Sequence, residues 1–325
     1  MAFSRTALGV VVCGLLLAGC GGDPQGTWAQ SSTAASAGAS ASPSPASSPS
    51  PSSTPATVGV PAGVLAGIAV FDRQSGTFVV QQRATTRFRS ASLSKLLIVL
   101  DYLWNRGPGY SIPQADRTRL DVMLRSSDDA AASYFWRANG MGQIVTRMAG
   151  RLGLQDTAPP PAARPTAWGY TALSAADLVR IYRYLLDSAP APVREYVMGN
   201  LHKATKCGTD RFDQSFGIPS AFRQPWAAKQ GWSGFGDTPA KPCTASAAGW
   251  SVPAPAPAVV DAVAATPTPA FVGEVLHTTG TVGPDDRSIV AILSLHPEGT
   301  SFAKAVATLT ALTRSLPVPG GVPAA

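Results

Sequence analysis

The order of expected elements places this chain in the α+β class: an antiparallel sheet covered by helices, with a second, all-helical lobe. Three observations carry that expectation. Two short apolar runs flank a turn early in the chain. Helical periodicity dominates the middle. Three strand-like segments and a closing helix follow. The two ends would combine into one sheet, and the middle would form the lobe.

The elements are justified in order. Residues 66–82, AGIAVFDRQSGTFVVQQ, hold two strand-like runs around Asp72-Arg73-Gln74-Ser75-Gly76, a hairpin signal. In RFRSASLSKLLIVLDYLWNRG, Leu93, Leu96, Leu97, Leu100 and Leu103 recur at helical spacing, and Gly107 ends the run. Residues 115–125, 128–138, 141–152 and 174–187 read as further helices, and Ser174 to Asp177 has the form of a capping box. Trp104, Trp136 and Tyr182 sit at helical spacings and are assigned to the core. Between these helices, 155–171 is a Pro-rich loop. Residues 190–203 suggest one more helix. Strands are expected at 225–232, 273–282 and 287–296, with a closing helix at 301–316 and a Pro/Ala-rich loop insertion at 251–270.

The ends of the chain read differently. Arg5 and the apolar stretch 7–19 form a secretory signal (1–19), too short for a permanent span. Leu17 to Cys20, LAGC, resembles the lipobox of bacterial lipoproteins. That resemblance implies cleavage before Cys20, lipidation of Cys20 and stable anchoring at the outer face of the cytoplasmic membrane. Residues 31–57 use only Ser, Thr, Ala, Gly and Pro, so they cannot offset their ordering entropy by burial. Residues 20–57 are therefore expected to be a lipidated tether, 58–317 the folded domain, and 318–325 a flexible tail. Of four cysteines, Cys13 leaves with the signal and Cys20 carries lipid. Cys207 and Cys243 remain, and in an exported protein they are expected to pair. The formal charge of +7 is spread without any Lys/Arg run, which reads as a solvated basic surface and not a nucleic-acid site. No metal-ligand spacing and no Gly-rich phosphate loop occurs, so no metal and no cofactor is expected. A monomer is expected.

Chemistry concentrates in three short stretches. Ser92 and Lys95 stand at i and i+3, on one helix face one turn apart. A hydroxyl near a helix N-terminus sits where developing negative charge is favoured, and a nearby lysine of lowered pKa can take its proton. Ser94 is adjacent to Lys95 and points about 100° away, so Ser92 is the candidate nucleophile. Ser127-Asp128-Asp129 and Lys229-Gln230-Gly231 complete the set. Together, in this order, they resemble Ser-x-x-Lys, Ser-Asp-Asn and Lys-Thr-Gly of the penicillin-recognising serine enzymes, the class A β-lactamases and D,D-peptidases.

That resemblance covers roughly residues 60–316 and implies a β-lactamase/transpeptidase-like serine hydrolase domain. Ser92 would be acylated by a cell-wall peptide, an ester or a β-lactam. Lys95 would be its proton partner, and Ser127 would pass the proton to the leaving group. Lys229 would depress the pKa of Lys95 and attract a substrate carboxylate. The backbone amides of Ser92 and Trp232 would form the oxyanion hole. Gly231 would let substrate approach the strand.

Three departures qualify the resemblance. Asp129 replaces Asn and cannot donate a hydrogen bond when ionised. Gln230 replaces Thr, keeping a donor with longer reach. The loop 155–171 holds no Glu to poise a deacylating water; its only carboxylate is Asp156, and the chain has three Glu in all, Glu195, Glu274 and Glu298. Slow release of the acyl group is expected. The alternative is a catalytically degenerate envelope binding module. A Ser-His-Asp hydrolase is disfavoured: Phe235 breaks the Gly-x-Ser-x-Gly pattern around Ser233, and of the three histidines, His202, His277 and His296, the most suggestive, His277, reads as a strand-end residue.

Overall fold

The computed structural model describes residues 54–244 and 273–324. The signal peptide, Cys20, most of the expected tether and the 251–270 insertion lie outside the described residues. Five strands form one antiparallel sheet in the order β2-β1-β7-β6-β5. They are β1 (Leu65–Asp72), β2 (Thr77–Gln82), β5 (Trp226–Ser233), β6 (Glu274–Val282) and β7 (Ser288–His296). The two ends of the chain do combine: β1 pairs with β7, Ile68 opposite Ile292. Strand alternation then divides the apolar side chains between two faces. Ile68, Val70, Val290 and Ile292 pack with Leu309 and Leu312 of helix α8 (Phe302–Arg314). Ala69, Phe71, Ala291 and Leu293 pack with the helical side, which includes α1 (Lys95–Trp104) and α5 (Ala175–Arg183).

The helical lobe contains α2 (Gln114–Arg125), α3 (Asp129–Ala138), α4 (Gly142–Leu152) and α6 (Ala191–Leu201). Each lies within a residue or two of its expected place, except that the expected 174–187 helix ends in a π-turn, Tyr184–Ser188. Two small elements carry no sequence period and were not expected. One is a two-stranded ribbon, β3 (Phe88–Arg89) with β4 (Ala172–Leu173). The other is the four-residue helix α7 (Ile218–Ala221). Among the described residues, no helix is long and apolar enough to cross a membrane.

Both boundaries of the folded part shift outward. Ala56 N donates to Val79 O at 2.8 Å, so order begins before Val58. Residues 318–324, expected to be a flexible tail, instead close hydrogen bonds left open at α7 and β7. Ala324 N donates to Ala221 O, Arg223 N to Val322 O, and Ser288 Oγ to Pro319 O. Cys207 and Cys243 are joined by a disulfide, as expected, with Cα atoms 5.6 Å apart.

Candidate active site

Ser92 lies in a 3-10 turn, Ala91–Ser94, that runs directly into α1. The turn is clamped from three sides. Ser90 N donates to Thr171 O at 2.8 Å, extending the β3–β4 ribbon. His277 Nδ1 accepts from Ser294 N, so its Nε2 carries the proton and donates to Arg89 O at 2.9 Å. Beneath it runs β5: a Cβ at Gly231 would lie 3.0 Å from Ser90 O and 3.2 Å from Leu93 Cγ. The bare backbone of Gly231 thus leaves room for the nucleophile's own turn. Ala91 holds φ +45° and Ser127 φ +58°, left-handed values that L residues adopt at a cost of about 1–3 kcal/mol each. Such strain is retained where the surroundings over-determine it.

The three motifs converge. Lys95 Nζ donates to Ser92 Oγ at 2.8 Å, Ser127 O at 2.5 Å and Asp129 Oδ1 at 2.6 Å, and lies 3.3 Å from Ser127 Oγ. Lys229 Nζ donates to Ser127 Oγ at 2.7 Å. Ser127 therefore bridges the two amines. Ser94 Oγ, by contrast, turns back to Ala91 O at 3.0 Å and is fully buried. Burial, with the nearby charge of Lys95, pushes Lys229 well below the usual amine range. Lys95 has a carboxylate at 2.6 Å, whereas the hydrogen-bond partners of Lys229 are a hydroxyl and a carbonyl.

One of the expected substrate contacts does not open toward a ligand. Gln230 points to the other face of β5 from Lys229, and its Nε2 donates to Gln214 O and Phe216 O at 3.2 and 2.5 Å. The donor anticipated there is already engaged. Trp232 donates its Nε1 to Asp210 Oδ2 at 2.9 Å. Asp210 was not foreseen. Burial, reinforced by the charge of Asp129, pushes its carboxyl up. Its loop leans on the second motif through Thr209 N to Ser126 O at 2.9 Å, and Cys207 staples that loop. Its place three residues after Cys207 was the one available signal.

The loop 155–171 folds over the nucleophile turn. Asp177, expected to close a capping box, instead takes Gln155 N, Asp156 N and Thr157 Oγ1 at 3.0, 2.8 and 2.7 Å, while Ser174 caps α5 through Asp177 N. Asp156 accepts from Ser174 Oγ at 2.9 Å. At the far end the Trp168 ring centroid sits 4.6 Å from Lys95 Nζ. His277, read as a strand-end residue, is mid-strand and fully buried. The other two histidines are likewise engaged away from Ser233: His202 with Trp226 O and Asp286, His296 with Ser294. Among the described residues no group of His, Cys, Asp or Glu could hold a metal ion.

Proteins of Mycobacterium tuberculosis and Mycobacterium bovis, each named "Putative lipoprotein LppW", are 34% identical to this chain over 260 residues, 78% of it and 70% of their own length. The chain belongs to the LppW family. No protein-family model matches it. The LppW-family fold is that of the β-lactamases. A class A β-lactamase from Mycobacterium abscessus superposes with TM-score 0.52 at 18% identity, over 78% of this chain and 92% of that one. A structure of PBP-A gives 0.53 at 13%, over 78% and 89%. The antiparallel sheet flanked by helices agrees with that fold.

Proposed function

We propose that this LppW-family chain is a cell-envelope lipoprotein whose β-lactamase-like domain is acylated at Ser92 and releases the acyl group slowly. The observation that carries the reading is the unbroken chain of contacts from Ser92 Oγ through Lys95 Nζ and Ser127 Oγ to Lys229 Nζ. Burial, with the nearby Lys95 charge, lowers the pKa of Lys229 well below the usual amine range, and Lys229 is the end of that chain that takes up the proton. Ser92 gives its proton to Lys95 as Lys95 passes one to Ser127 and Ser127 passes its own to Lys229. The Ser92 oxygen then bonds to the acyl carbon, with the backbone amides of Ser92 and Trp232 facing the oxyanion. Ser127 returns a proton to the departing nitrogen or oxygen. The net change is one ester formed on Ser92 and one amine or alcohol freed, which departs from a peptide or ester substrate and stays tethered in the adduct of a ring-opened β-lactam. A cell-wall peptide, an ester or a β-lactam fits that chemistry. Lipid on Cys20 would hold the domain at the outer face of the cytoplasmic membrane.

A second reading, a degenerate binding module, is favoured by one observation: Asp129 places a carboxylate 2.6 Å from the amine of the candidate base, Lys95. Intact-protein mass separates the two. Membrane-extracted protein should carry the acyl chains of Cys20. After incubation with a penicillin or a generic serine-acylating probe it should gain one further adduct, retained in Ser94→Ala and lost in Ser92→Ala. An adduct on Ser94 or Ser233 would overturn the assignment, and no adduct across a broad panel would leave the binding module standing.

A further inference from the structure

We propose that Trp168 is the residue that withholds water from the Ser92 ester. This rests on the acylation of Ser92 proposed above and names the cause of the slow release. The centroid of its ring stands 4.6 Å from Lys95 Nζ, itself 2.8 Å from Ser92 Oγ. A water hydrogen-bonded to the ammonium and still clear of the ring would need about 6 Å. The contact between ring and amine is therefore dry, a cation held against an aromatic face.

The other directions around the amine are taken as well. Ser92 Oγ, Ser127 O and Oγ, and Asp129 Oδ1 surround it, and the indole covers what they leave. Hydrolysis would form a bond from water oxygen to the acyl carbon, break the bond to Ser92 Oγ, return one water proton to that oxygen and release a carboxylic acid. Such a water needs a group to orient it and take its proton. Lys95 has no open face for it, and Asp156, the sole carboxylate of the loop, is engaged by Ser174.

The ring cannot easily swing away. Trp168 Nε1 donates to Ser133 Oγ of α3 at 3.1 Å, and Trp136 Nε1 of the same helix donates to Pro165 O at 2.9 Å. On the other side Thr171 O takes Ser90 N at 2.8 Å, and Gly169 packs against Ala91. The loop that carries Trp168 and the turn that carries Ser92 thus form one rigid unit, with the indole as its inner wall. Trp168 acts through the water it excludes and the amine it faces, so it is a positioning residue.

The test separates acylation from release. Wild type, Trp168→Phe, Trp168→Ala and Ser133→Ala are acylated with the same penicillin, freed of excess reagent and followed by intact mass. Trp168→Ala should lose its adduct about tenfold faster than wild type while acylating within about threefold of it. Trp168→Phe keeps a ring over the amine but gives up the Nε1 tether, and should release clearly more slowly than Trp168→Ala. Ser133→Ala unties the indole without removing it, and should fall between wild type and Trp168→Ala; it carries the test should Trp168→Ala fail to fold. Release from Trp168→Ala or Ser133→Ala within about twofold of wild type overturns the inference. So does Trp168→Phe releasing as fast as Trp168→Ala. An adduct with unchanged release removes this inference alone, whereas no adduct on wild type removes the acylation reading with it.

Discussion

A lysine accepts a proton only when its own charge can leave, and Asp129 works against that at Lys95. The Lys95 side chain is fully buried, and the carboxylate 2.6 Å away supplies its counter-charge. An amide at the same place would still offer an oxygen to the amine but no charge. Asp129→Asn should therefore raise the acylation rate of Ser92 by about tenfold, equivalent to about 1.4 kcal/mol of barrier. A mass time course with a single β-lactam measures it; equal or slower acylation would show that the Asp129 charge is no brake. At this scale the sequence showed whatever rests on short-range spacing. Ser92 and Lys95 meet because i and i+3 share a helix face, and Ser127 and Lys229 were legible as fragments of a known set. Trp168, Asp210 and the role of His277 were not, because their nearness to Ser92 comes from loop paths and strand register that no local period records. Gln230 misled for a related reason. Its donor was foreseen, but the face of β5 on which it lies was not.

At the scale of elements, apolar periodicity was enough for every long helix and strand, since each must bury one face and each face repeats. It was silent on β3, β4 and α7, which are too short to repeat and form only because other segments are already in place. The loop 155–171 and the 207–213 loop are of that kind. Asp177 fixes the start of the first, while the second is tied to Ser126 by Thr209 N and to Cys243 by the disulfide. Closing 36 residues by the Cys207–Cys243 bond should contribute about 3–4 kcal/mol through the unfolded chain. The double variant Cys207→Ser/Cys243→Ser should lose about that much stability in urea unfolding without reductant. Its acylation should also slow, because the loop that braces Ser126 loses its staple. A loss under about 1 kcal/mol would mean that hydrogen bonds alone hold the loop.

For the molecule as a whole, acid should act through His277. The residue joins β6, β7 and the nucleophile turn, donating to Arg89 O and accepting from Ser294 N. Burial first, and the Arg89 charge in addition, bring its pKa down from 6.5 to about 4. Between those values the unfolded chain binds a proton that the folded chain refuses, so falling pH favours unfolding. The stability is intact above pH 6.5 and is lost progressively down to about pH 4, by about 3 kcal/mol for this one group. His296, also lowered by burial, acts in the same direction, while Asp210, raised by burial, opposes it near the acid end. A neutral replacement isolates the effect. His277→Gln keeps a polar side chain of similar reach and cannot titrate. It should be less stable than wild type at pH 7, yet lose far less on going to pH 4.5, as read by urea midpoints at both values. Equal losses in the two proteins would place the acid sensitivity elsewhere. Since protonation breaks the Nδ1 contact that ties His277 to β7, acylation by folded wild type should hold down to about pH 5 and fall near pH 4, where the folded chain takes the proton.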